Sequence, residues 1–161
     1  MPKRNRLTLA ASLIQRLPHP MHEPLLSRLF GSQVHFASTA RVRIQRMSQH
    51  EVRMSLANRR SLQNHIKGIH AAAMALLAES ASGCVVGMNL PDDKLPPIRT
   101  LKVDYLKRAQ GNLHATATLS DAQRQAMQEH DRGQVVVEVT ILDESREQPI
   151  RCEMHWAWIK H

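Results

Sequence analysis

Between Ile69 and Met88 the chain reads Ile-His-Ala-Ala-Ala-Met-Ala-Leu-Leu-Ala-Glu-Ser-Ala-Ser-Gly-Cys-Val-Val-Gly-Met, apolar on nearly every side and carrying one carboxylate, Glu79, deep inside. Ala, Leu and Met favour a helix here, with Asn64 and Gly68 punctuating its approach and Gly87 near its end. A helix without a polar face cannot lie on a surface, so the rest of the chain must wrap it. At 3.6 residues per turn Ala72, Ala75, Ser82, Gly83 and Val86 share the face of Glu79, and Met74, Leu77, Ala81 and Cys84 line the opposite one. The bulkier stripe suits a sheet, and the smaller face lets another chain or a slender substrate come close to the acid. Taking a carboxylate out of water costs several kcal/mol unless it has a partner, so Glu79 needs a structural or chemical reason to be there. With His70 and Glu79 inside it and so much Ala, the segment lacks the continuous hydrophobicity of a membrane span.

On either side of this helix the pattern changes. Leu9, Leu13, Ile14 and Leu17 predict an amphipathic helix ending at Pro18-His19-Pro20, and residues 24–30 a second short one before Gly31. Residues 33–47 and 51–58 alternate apolar and polar, through Val42 and Ile44 and then Val52, Met54 and Leu56, as half-buried strands do, with Ser48-Gln49-His50 as the turn. After the central helix, residues 91–97 read as a loop. Strands are predicted at 98–109, 113–119, 134–142 and 150–159, with a turn at Gly111-Asn112 and a short helix at 121–130 capped by Ser120. Two strands, one buried helix, then four strands is an α+β order, and short connections make the pairing antiparallel. The expected organisation is an N-terminal helical extension over residues 1–32 and a sheet-and-helix domain over 33–161.

A chain of 161 residues with 42% hydrophobic content can build one real core. The formal charge of +8 raises the question of nucleic acid, but basic residues are scattered, aromatic residues make up 3%, and no nucleic-acid-binding motif is present. A phosphate-bearing small ligand or a solvated basic surface accounts for the charge better. Cys84 and Cys152 lie far apart without a CxxC pattern, which indicates neither a disulfide framework nor zinc and fits a reducing cytoplasm. His65 and His70 do not share a helical face, so no metal site is expected. His114 and His155 read as surface or packing residues, and Cys152, Trp156 and Trp158 as sheet packing. Lys3, Arg4 and Arg6 ahead of an apolar run hint at an export signal, but Gln15 and Arg16 cut that run short.

Two stretches carry a family resemblance: Asn64-x5-His70-Ala71-Ala72-x6-Glu79, and Leu101-Lys-Val-Asp-Tyr-Leu-Lys-Arg-Ala-Gln-Gly111. The first resembles the Asn…His-Gly-Gly…Asp/Glu pattern of hotdog-fold acyl-CoA thioesterases of the phenylacetate type. The second is similar to the strand that follows in those enzymes. The run Asn64-His-Ile-x-Gly68-x-His70-Ala-Ala72 behind a helical extension also resembles a hotdog group of largely unknown function. The resemblance implies an antiparallel sheet wrapped around one long central helix.

It also implies roles. Glu79 corresponds to the acidic residue that acts as general base or nucleophile on a thioester. Asn64 corresponds to an amide that orients water or substrate, and His70 to the histidine that opens the helix. Ala71 and Ala72 stand where the family has Gly-Gly, whose backbone N–H polarises the carbonyl, with Gly68 just before them. The extra methyl narrows backbone approach, yet a helical Ala71 still offers its N–H. Lys107 and Arg108, at a strand end, are candidates for the phosphates of coenzyme A. The site is expected to form across a homodimer, possibly within a tetramer, and to need no cofactor beyond the coenzyme A of an acyl-CoA or acyl-carrier substrate. A hydratase or dehydratase using His70 and Glu79, and a noncatalytic acyl-binding module, are the alternatives.

Overall fold

The computed structural model describes residues 5–161. Its apolar helix and its alternating strands bury one another. The helix α4 (Ala71–Gly87) sends Met74, Leu77, Ala81 and Val85 into the core. It lies in the curl of a sheet built from β1 (Arg43–Met47), β2 (Glu51–Leu56), β3 (Lys94–Leu95), β4 (Ile98–Tyr105), β5 (Leu113–Thr118), β6 (Arg132–Asp143) and β7 (Ile150–Lys160). Every pairing is antiparallel. The order is β1-β2-β5-β6-β7, with β3 and β4 both on the outer side of β7.

Register explains how the sheet makes room. Val52, Met54 and Leu56 of β2 stand opposite Ala117, Ala115 and Leu113 of β5, and the same two alanines face Val139 and Ile141 of β6. Small residues on the middle strand flanked by larger ones form a trough, and a helix rich in Ala can settle into it. This is the α+β hotdog arrangement expected from the sequence.

Ahead of the sheet stand α1 (Arg6–Ile14), α2 (His22–Gln33) and α3 (His35–Ala40). They share the core, contributing Ala11, Leu26, Phe30 and Ala37 to the same apolar cluster as α4 and the strands. Asn5 helps to tie them down: it accepts from the Thr8 N–H to cap α1, and its Nδ2 donates to Gly87 O at 2.7 Å and Leu90 O at 2.6 Å. Those carbonyls lie at and just past the end of α4, so a helix terminus that water would otherwise satisfy is closed by protein. A further helix, α5 (Asp121–Glu129), opens with a capping box between Ser120 and Gln123.

Four local expectations need correction. The strand expected from residue 33 starts only at Arg43, because Val34 to Ala40 form the α2–α3 junction and α3, ended by Arg41 in the left-handed region (φ 56°). Val34 and Phe36 imitate strand alternation, but Phe36 points to solvent while Ala37 and Ala40, three residues apart, are buried. In α1 the inward residue is Ala11, and Leu9 and Leu13 are exposed, since the Asn5 ties set the helix rotation. The loop at 91–97 contains the short strand β3. Finally, β4 stops at Tyr105 rather than 109, because its partner β7 begins at Ile150 and the Leu106 and Lys107 N–H groups both turn to Pro149 O.

Candidate functional site

The approach to α4 is a loop organised by Asn64. Its Oδ1 accepts from the Ile66 and Gly68 N–H groups, each at 3.1 Å, and its own N–H donates to Gly68 O at 2.8 Å. Such a closed ring of local bonds is what an Asn side chain does in tight turns. Arg108 reaches across to Ile66 O at 2.6 Å, and the His70 N–H to Leu62 O at 2.8 Å. The helix therefore starts from a braced position. His70 is its N-cap, with Nδ1 accepting from the Ala72 N–H at 3.1 Å. Of the two amides singled out in the sequence, then, that of Ala72 is occupied. The Ala71 N–H has no acceptor among the described residues, and Ala71 is exposed. Tyr105, at the end of β4, donates its hydroxyl to Ala71 O at 2.8 Å and fixes the first turn from the other side. An unpaired N–H at the positive end of a helix dipole suits a developing oxyanion.

Glu79 lies two turns further on. The half-open stripe of α4 runs Ala72, Ala75, Glu79, Gly83, Gly87, whereas Ser82 and Val86, expected beside Glu79, are turned fully into the core. Glu79 borders a cavity of about 240 Å³ whose other walls include Leu7, Phe30, Val34, Pro96 and Trp156. Its carboxylate has no hydrogen bond or ion pair among the described residues, and burial pushes its pKa above the ordinary 4.5. The wall is held in place by a relay: Trp156 Nε1 donates to Ser82 Oγ at 2.9 Å, and that hydroxyl donates to Glu79 O at 3.0 Å.

These residues do not converge within one chain. Eight residues separate Ala71 from Glu79, which is about 12 Å along the axis at about 1.5 Å each. Asn64, Gly68, His70, Ala71, Ala72 and Arg108 gather at the helix start, and Glu79 faces the cavity beneath the N-terminal helices. Lys107 is paired with Glu147 instead of standing beside them.

Residues 23–159 match the family described as a domain of unknown function, DUF4442. The chain belongs to that family. No curated protein matches it. Among solved structures, this DUF4442 chain resembles PA5026 of Pseudomonas aeruginosa, a protein of unknown function described as a probable thioesterase, with a TM-score of 0.75, 19% identity, and 90% of this chain and 97% of that one covered. It also resembles the thioesterase HI1161 of Haemophilus influenzae, with a TM-score of 0.64, 14% identity and coverage of 78% and 82%. A thioesterase family protein from Silicibacter pomeroyi gives 0.66, 16%, and 84% and 96%. At these identities the likeness establishes the hotdog fold of the DUF4442 chain.

Several residues at the site had no local signal in the sequence. Trp156 read as sheet packing, yet it forms a cavity wall; Phe30 lies in the N-terminal extension and Val34 in a stretch read as strand, yet both line the same cavity. Trp156 reaches the site through a long-range contact with the small Gly83: a Cβ on Gly83 would lie 2.8 Å from the indole ring. The thiols offer no competing chemistry, since burial pushes Cys84 up to about 12 and Cys152 up to about 11. Among the described residues, no cluster of three His, Cys, Asp or Glu side chains could hold a metal, and no helix is long and apolar enough to cross a membrane.

Proposed function

We propose that this protein hydrolyses an acyl thioester, of coenzyme A or an acyl carrier, at a site shared by two copies of the chain. The observation that carries the reading is Glu79: a carboxylate with a raised pKa and no partner, on the wall of an apolar cavity in a fold used by thioesterases. In its ionised form Glu79 takes a proton from water, the resulting hydroxide adds to the thioester carbonyl, and the thiolate leaves with the proton returned by the acid. Direct attack by Glu79, through an anhydride that water then opens, uses the same position. Acid and free thiol are the products either way.

The oxyanion needs a donor, and the free Ala71 N–H is about 12 Å from its own Glu79. A second copy resolves the distance by presenting its Ala71 to the first copy's Glu79. The outer edge of β4 suits such a pairing. Among the described residues it has no strand partner, and Leu101, Tyr105, Leu106 and Ile66 around it are each more than 40% exposed. The Nδ2 of Asn64, left over from the loop, can orient water or carbonyl. His70 serves as the cap that sets the helix start. Arg108 keeps donors beyond the one spent on Ile66 O and can meet a coenzyme A phosphate, whereas Lys107 must first release Glu147. Gly68 and Ala72 shape the approach. The phenylacetate-type motif and a cytoplasmic setting fit this scheme.

The test is thiol release from a panel of acyl-CoAs by wild type and Glu79→Gln. The variant is expected to stay folded and to lose about 10²- to 10⁴-fold in kcat. Undiminished turnover ends the mechanism. Absorbance change on an enoyl-CoA without thiol release would instead favour the hydratase reading.

A further inference from the structure

The cavity beside Glu79 is built from two sources. One wall is α4, through Glu79, Ser80, Gly83 and Cys84; the facing wall is the N-terminal helical layer, through Leu7, Phe30 and Val34. Trp156 lies against Gly83 at a distance that admits no side chain, so the indole ring forms a flat side. Its nitrogen is turned away to Ser82. What remains to line the space is almost wholly apolar. Polar side chains interrupt it at Glu79 and, on the facing wall, at Gln33; on α4 the hydroxyl of Ser80, a residue 2% exposed, is buried with no hydrogen-bond partner among the described residues. Native interiors rarely leave a buried hydroxyl unpaired, and they pack at densities of about 0.74 to 0.76. A packed wall serving structure alone would have filled this space and paired this hydroxyl. An apolar slot with a few polar groups fits a ligand with an apolar body and an oxygen-bearing head.

Size narrows the ligand. The volume of about 240 Å³ lies below the range of about 300–1,000 Å³ found for drug-sized molecules. We propose that the cavity receives the acyl group of the thioester, a slender aliphatic or single-ring acyl of about eight heavy atoms, counting each as about the 30 Å³ that one water molecule takes up in the liquid. The N-terminal layer is the stop that sets this limit, with the α2–α3 junction at Val34 closing the slot. The carbonyl end stays at Glu79. This assignment rests on the thioester reading given above.

Two variants change the slot from opposite walls. Val34 is half-buried at φ −119°, ψ 85°, a conformation that Phe also adopts, so Val34→Phe shortens the slot without straining the backbone. Cys84→Ala removes a sulfur from α4 and deepens it. The measurements are kcat/KM for butanoyl-, hexanoyl-, octanoyl- and dodecanoyl-CoA, and separately the tryptophan emission of the same proteins titrated with the matching free carboxylic acids. Trp156 reports occupancy whether or not hydrolysis occurs. In wild type, kcat/KM is expected to rise to octanoyl and to fall at least about tenfold for dodecanoyl. In Val34→Phe the maximum moves to a shorter chain, each excluded methylene costing about fourfold. In Cys84→Ala it moves to a longer one. Octanoate should change the emission of wild type and not of Val34→Phe. If thioesters are hydrolysed but both folded variants keep the wild-type length profile, the acyl group lies elsewhere and this assignment falls while the catalytic reading stands. If no thioester is hydrolysed but octanoate still alters wild-type emission and Val34→Phe abolishes the effect, the slot is upheld and the catalytic reading falls. Emission that responds to none of the acids overturns the slot.

Discussion

The two halves of α4 have opposite surroundings, the first rich in Ala and Leu and the second in Ser, Gly and Val. At its start, Ala71 and Ala72 are exposed, the dipole is open to an incoming oxygen, and one N–H has no acceptor. Towards its end, Gly83 lies under Trp156, Gly87 under Leu7, and the last carbonyls are taken by Asn5. Glu79 sits at the border. The difference comes from what covers each half and from the small residues that let it approach: long-range partners dry one end, and the free edge of β4 leaves the other bare. A dry surrounding makes a carboxylate more basic, and an exposed helix start keeps its positive end for charge that develops in a reaction. Two copies of such a helix, set against each other, would supply both conditions to each site.

The largest effect expected on this contrast comes from Ala71→Pro. Proline is tolerated at the first position of a helix and removes only the N–H in question. His70 already has φ −61°, ψ 141°, the extended backbone required ahead of proline. Helicity by circular dichroism should match wild type while kcat falls about 10²- to 10³-fold, as on loss of an oxyanion donor. Full turnover in this variant would remove the open half from the chemistry.

Gly83→Ala probes the closed half. The new methyl would meet the Trp156 ring at 2.8 Å, so overpacking should cost about 1–3 kcal/mol in denaturant unfolding. At the exposed end, Ala72→Ser should stay within about 0.5 kcal/mol of wild type. Equal costs at the two positions would erase the distinction.

The smallest effect is on the border residue. Because the native carboxyl of Glu79 titrates above the ordinary 4.5, the folded protein holds that proton more tightly than the unfolded chain does. Its contribution to stability therefore falls as pH rises from about 4.5 through the native value, and stays lower beyond it. Glu79→Gln removes this penalty. Its Tm should exceed that of wild type at neutral pH, and the gap should close as pH drops below about 4.5. A gap that is constant with pH would mean the carboxylate is not desolvated.

The central helix and the order of the strands were legible because their signals are local: unbroken apolar residues in one, alternation in the others. Residues 34–40 misled because Val34 and Phe36 alternate like a strand, while the contacts that choose a helix come from Ala37 and Ala40 against distant neighbours. Glu79 stood out as a carboxylate in an apolar stretch, and Asn64 and His70 through a family resemblance, but neither signal says which donor is spent. His70 lies outside the usual Ser, Thr, Asp and Asn capping residues, so its claim on the Ala72 N–H had no signature. The cavity was hidden for a plainer reason. Its walls come from Leu7 to Trp156, and no window of sequence spans them.

Asn5 also sets an order of events in time. Its two bonds to the end of α4 cross 82 and 85 residues of chain, so this tie cannot close until Leu90 exists. At about 5–20 residues per second, synthesis leaves it waiting for about 4–17 seconds. Through that interval Gln15 Nε2 can already reach Met47 O, while the Asn5 end of α1 lacks its acceptors. The wall that sets the depth of the slot is thus translated early and assembled late.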